Sequence, residues 1–127
     1  MIKNNLARQI VLILAALVFI LVAIAALVIP HKMASQMGYT LVNINGLNEF
    51  RAIYVGVWFA TAILLIVAAK NIKIPLLSDL GAILILGQTF GRLVSIILDG
   101  IPGNEVFPVF FLEFIGGLLL LIIRPKN

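Results

Sequence analysis

Two residues are placed to do chemistry together, Arg92 and Glu113, each inside an apolar run that would otherwise suit hydrocarbon. Arg92 lies seven residues before Asp99, and Glu113 seven after Val106, the expected ends of their runs at one membrane surface. At a helical rise of about 1.5 Å per residue both sit about 10 Å below that surface, so they can meet. Ionisable groups at such depth are costly and normally face a bundle interior or a wet cavity. Gln88, Arg92, Ser95 and Asp99 follow one another at intervals of four, three and four, which puts them on one helical face. Glu49, Arg51 and Tyr54 open the preceding run. The expected site is therefore a polar cluster of Glu49, Arg51, Tyr54, Gln88, Arg92, Ser95, Asp99 and Glu113. Arg92 is expected to be shared between Glu113 and Glu49, because a guanidinium offers five donors in a fixed fork.

Four apolar runs must position this cluster. At 63% hydrophobic and 11% charged, with mean hydropathy +1.22, the chain is an integral membrane protein by composition; soluble domains carry about 25% charged residues. Gln9 to Ile29 and Ala52 to Ala69 contain no charge. A third run, from about Ile74 to Leu98, is interrupted by Asp79 and Arg92, and a fourth, Val106 to Ile123, only by Glu113. Each is long enough to cross a bilayer, which takes roughly 17 to 25 residues. The expected fold is all-α: one transmembrane domain over 1–127, a bundle of four helices at about 9–29, 49–69, 76–98 and 106–123. The first run is too long for a cleaved signal core and is expected to be retained.

Pro30 is expected to stop the first helix, leaving an external loop at 31–47 that folds over the end of the bundle. Asn48 is a candidate cap for the second helix, Ser78 or Asp79 for the third. Asp99 to Asn104 reads as a tight turn. Gly87 with Gly91, and Gly116 with Gly117, are spaced for close helix contact, with a dimer face as the alternative use.

The net charge of +4 has a topological reading. Lys3 and Arg8, Lys70 and Lys73, and Arg124 and Lys126 share one side of a four-span bundle, against Lys32 and Arg51 on the other. The positive-inside rule then puts both termini in the cytoplasm and the polar cluster toward the outer face.

The absence of cysteine removes thiol redox chemistry, disulfides and thiolate metal sites. His31 is the one histidine, so haem ligation by a histidine pair within the chain is excluded. No phosphate loop, nucleophile elbow or metal-ligand cluster is present, and no cofactor or metal is expected. Catalysis is not expected either, although Glu113 or Glu49 would serve as a base if burial raised its pKa. Two readings of the cluster stay open. It holds an amphiphile, a membrane lipid or lipophilic small molecule with an anionic or carbonyl head; or it only staples the helices of a structural or accessory subunit. In the second case the partner is another membrane protein or a second copy of the chain. No nucleic-acid partner is expected, and a small multidrug transporter is disfavoured by the uncharged first helix.

Asn48-Glu49-Phe50-Arg51-Ala52-Ile53-Tyr54, then Gly91-Arg92-Leu93-Val94-Ser95, then Asp99-Gly100-Ile101-Pro102, form an ordered set of motifs. In these, and in the acid at Glu113, the chain resembles a widespread family of small bacterial four-helix membrane proteins described only as a domain of unknown function. The resemblance runs from about Ile10 to Leu120, and departs where this chain has Tyr54-Val55-Gly56 in place of the family's Tyr-Gly-Gly. It implies the same bundle and polar cluster in the bacterial inner membrane and supplies no activity. A fainter likeness links the chain to DoxX-like proteins, some of which are oxidoreductase-associated subunits.

Overall fold

The structure, a computed structural model, describes residues 2–124, with side chains from Asn5 onward. Lys126 and the side chain of Lys3, both part of the charge bias above, lie outside the described residues. All regular structure among these residues is helical: α1 (Ile2–Val28), α2 (Pro30–Gln36), α3 (Ile44–Lys70), α4 (Pro75–Asp99) and α5 (Phe107–Ile122). Three of them, Asn5–Val28 within α1, α3 and α4, are long and apolar enough to cross a membrane, and α5 is a shorter apolar helix. Long helices α1, α3, α4 and α5 form a ring in which each packs on two others: α1 on α3 and α5, α4 on α3 and α5. Residues near Arg8, Lys70 and Arg124 gather at one end of the ring, here the terminal end; α2 and the 100–106 connection lie at the other, the loop end.

The packing is that of a protein whose surroundings are as apolar as its core. Buried positions are mostly small, with Ala16, Ala23, Ala26, Ala62, Ala68, Ala69 and Ala82 joining Leu12, Leu65 and Leu120. Large residues such as Leu21, Ile63, Leu76, Ile83, Phe90 and Leu112 point outward. In water that exterior would drive aggregation. In lipid, large side chains outside cost nothing, while small ones inside let backbones approach. Gly81 and Gly117 carry this furthest: a Cβ at either would come within 2.6 Å of Leu65 Cδ2 or of Leu86 Cδ2 and Cγ. These two notches seat α4 against α3 and α5. Gly87, Gly91 and Gly116, by contrast, have nothing within 4 Å of an added Cβ, so the close contact expected of the Gly87–Gly91 pair is not formed. Gly117→Val is accordingly expected to destabilise the bundle by about 1–3 kcal/mol through overpacking, and Gly116→Ala to be close to neutral. Melting of both variants in the same detergent checks the contrast.

Helix boundaries correct several expectations. α1 ends at Val28, just before Pro30, as expected, but the chain does not then enter a loop: Pro30 opens α2, where its missing N–H leaves no bond unmade. The expected loop at 31–47 shrinks to the segment between Gln36 and Ile44. Asn43 rather than Asn48 caps α3, its side chain accepting the Gly46 N–H at 3.0 Å, so Glu49 lies beyond the first turn. The third long helix begins at Pro75, and Ser78 and Asp79 are inside it; the Ser78 hydroxyl donates back to the Pro75 carbonyl at 3.0 Å. Within α3, Ala52–Val57 is π-helical, and the Trp58 N–H reaches the Ile53 carbonyl five residues back. Such bulges are rare and concentrate at functional sites.

Candidate functional site

Arg92 and Glu113 meet in a two-point ion pair. Arg92 Nε donates to Glu113 Oε2 at 2.7 Å and Nη2 to Oε1 at 3.3 Å. The Glu113 side chain is 8% exposed and that of Arg92 29%, so the acid is enclosed between α4 and α5 while part of the arginine side chain remains open. Parallel N–H···O bonds of this kind fix orientation as well as energy. Arg92 lines a groove of about 450 Å3 between the π-helical part of α3 and α4. Ile53, Tyr54, Val57 and Trp58 form one wall; Gln88, Gly91, Arg92 and Ser95 form the other. The groove exists because the π-helical segment packs on α1, and because Gly91 brings no side chain into the space.

Four of the eight expected site residues thus line one groove: Tyr54, Gln88, Arg92 and Ser95. Glu113 joins through Arg92, and Asp99 through Ser95, whose hydroxyl donates to Asp99 Oδ2 at 3.2 Å. Glu49 and Arg51 are not brought in. Both are exposed near the start of α3, and the ion pairs among the described residues include neither, so the expected sharing of Arg92 with Glu49 does not occur. The face of α3 that turns inward here carries Phe50, which is buried, so the charges on either side of it point away from the bundle. Gln88, at mid-helix, has no hydrogen-bond partner among the described residues although it faces the groove.

Aromatic rings continue the α3 wall. Phe50 and Tyr54 have centroids 4.5 Å apart, Tyr54 and Trp58 5.3 Å, and Trp58 meets Phe19 of α1 edge-on at 5.2 Å. The Tyr54 hydroxyl lies 3.4 Å from that of Tyr39 in the connection before α3. Ile53, Val57, Trp58 and Gly91 line the groove without having been expected in the site; the common depth of Trp58 and Gly91 with Gln88 and Arg92 was the available signal. A slightly larger depression of about 500 Å3 lies between Ser35–Gly38 and Pro102–Val106 at the loop end and contains none of the expected site residues.

A second charged cluster, which the sequence reading did not anticipate, occupies the terminal end. Arg8 is fully buried; its Nη2 donates to the Pro75 carbonyl at 2.9 Å and lies 3.9 Å from Asp79 Oδ1. Asp79 Oδ2 pairs with Arg124 at 3.1 Å, and Gln9 donates to the Ala69 carbonyl at 3.0 Å. Arg8 and Gln9 together tie α1 to both ends of the α3–α4 connection, and Gln9 satisfies one of the last carbonyls of α3. No group of three or more potential metal ligands occurs among the described residues.

An all-helical ring with an apolar exterior, small residues inside and ion pairs set between its helices is a membrane protein. More particularly, the chain belongs to the family described as Domain of unknown function (DUF4345), which it matches over residues 7–124. No curated protein and no solved structure matches the chain.

Proposed function

We propose that this is a four-span protein of the bacterial inner membrane with both termini in the cytoplasm, whose groove between α3 and α4 binds an amphiphile in the outer half of the bilayer. Topology is supported by the basic residues Arg8, Lys70, Lys73 and Arg124 at the terminal end, against Lys32 and Arg51 at the loop end. The observation that carries the binding role is the groove itself. It holds an arginine with donors to spare, a glutamine without a partner among the described residues, and two aromatic rings, in a volume typical of small-molecule sites, about 300–1,000 Å3. A pure staple would need none of that space. The apolar rims at Ile53 and Val57 are exposed, which suits entry of a tail from the membrane.

Gly91→Leu tests this without touching the ion pair. Its side chain would enter the groove, and the added Cβ meets no neighbour, so the melting temperature is expected to be unchanged. Wild-type protein purified in a gentle detergent should carry one enriched lipophile by native mass spectrometry, absent from Gly91→Leu. If wild type and variant carry the same bulk lipid, the groove is unused and the staple of an accessory subunit becomes the better reading.

A further inference from the structure

We infer that the head group this groove takes is uncharged, a carbonyl, amide or ester oxygen that accepts hydrogen bonds from Arg92 and Gln88, carried on an apolar tail lying against Tyr54 and Trp58. The inference rests on the amphiphile reading above and narrows its ligand.

Charge balance is the first argument. The titratable groups toward the groove are Tyr54 on α3, Arg92 and, at its mouth, Asp99 on α4, and Glu113 on α5; α1 contributes Phe19 behind Trp58. With Arg92 at +1, Glu113 and Asp99 at −1 each, and Tyr54 neutral, these groups sum to −1. An anionic head would enter a region of low dielectric with no net positive charge to offset its lost hydration. The arginine is already neutralised, at 2.7 Å, by a carboxylate that is itself almost enclosed.

The donor inventory is the second. Arg92 spends two of its five N–H groups on Glu113, which leaves three, and a guanidinium has no acceptor to offer. Gln88 is one helical turn deeper, about 6 Å along α4 by rise, and its amide has no partner among the described residues. A cationic head would find mainly donors beside a like charge. An uncharged oxygen meets donors, and costs least to bring to this depth. Between Gln88 and Arg92 the wall is Gly91, open to contact with a chain or ring. The opposite wall supplies the faces of Tyr54 and Trp58, 5.3 Å apart, as a surface for the apolar part.

Trp58 is the single tryptophan of the chain and lies in the groove, so its fluorescence reads occupancy directly. The probes are dibrominated stearamide and dibrominated stearate, which share a quenching tail and differ in head charge, compared at about pH 9, well above the ordinary carboxylate range. Quenching in Gly91→Leu supplies the micellar background. Wild type is expected to be quenched saturably by the amide at concentrations at least tenfold below the stearate. Gln88→Leu, on a surface-facing wall and expected to melt as wild type does, should weaken the amide fivefold or more and leave the stearate unchanged. Equal affinity for the two heads, or preference for stearate, overturns the uncharged head while the groove stands. Quenching by both probes that neither saturates nor differs from Gly91→Leu overturns the groove and this inference together.

Discussion

Glu113→Ala is expected to destabilise the bundle by about 3 kcal/mol, because it leaves Arg92 without its counter-charge inside the apolar layer. The value falls at the low end for a broken buried pair, since the Arg92 side chain keeps 29% exposure and a long stem with which to reach polar surroundings. The informative companion is the double variant Arg92→Met with Glu113→Leu. Replacing both charges by apolar groups of similar volume is expected to restore stability to within about 1 kcal/mol of wild type. Unfolding in mixed micelles, run as a double-mutant cycle, measures both values. The double variant is then a folded protein with its groove emptied of charge, and on the reading above it loses the co-purifying lipophile. A double variant as unstable as Glu113→Ala would show that the pair contributes geometry that packing cannot replace. One that folds and keeps the lipophile would remove Arg92 from the site.

The second large effect is expected at the opposite end of the bundle. Asp79→Leu strands Arg8, which is 0% exposed and has Nε and Nη1 without partners among the described residues. Removing one member of a buried pair costs about 3–5 kcal/mol, and among the described residues nothing else paired with Arg8 supplies negative charge: the groups beside it are a carbonyl and Arg124. Arg124→Ala should matter far less, under about 1 kcal/mol, because that side chain is half exposed and its pairing is of the surface kind. The same unfolding assay separates the two. Equal losses would mean that the Asp79–Arg124 pair, and not the one with Arg8, holds the terminal end together.

These clusters were unequally legible. Arg92 and Glu113 stood out because each interrupts an apolar run, and an antiparallel helix pair converts equal distances from a turn into equal depth. The same arithmetic applies to Arg8 and Asp79, which lie three residues inside Asn5, where the first span begins, and four inside Pro75, where α4 begins. Arg8 escaped notice because a basic residue just before a clean apolar run is the ordinary mark of a cytoplasmic flank. Sequence alone shows no burial, and burial is what separates a flank from a lock. Glu49 and Arg51 failed for a related reason. Their place in a shared motif and at a run's edge suggested convergence, but α3 turns Phe50 inward at this level and leaves both charges outside.

Amino-acid composition and spacing by themselves determined that this chain is helical and suited to lipid, where its apolar runs lie, and which two ionisable residues must find each other between them. Those conclusions need only hydropathy, the helical rise and the cost of an unpaired charge, all of them local or one-dimensional quantities. Tertiary structure alone decided that the glycines of α4 divide, Gly81 seating a neighbour and Gly91 facing open space. It alone decided that α3 turns π-helical beside that opening, and that Arg8 is sealed at the terminal end. Each of these depends on which way a helix face is rotated against its neighbours. That rotation is set by the packing of whole side chains from several helices at once, and no spacing along one run encodes it.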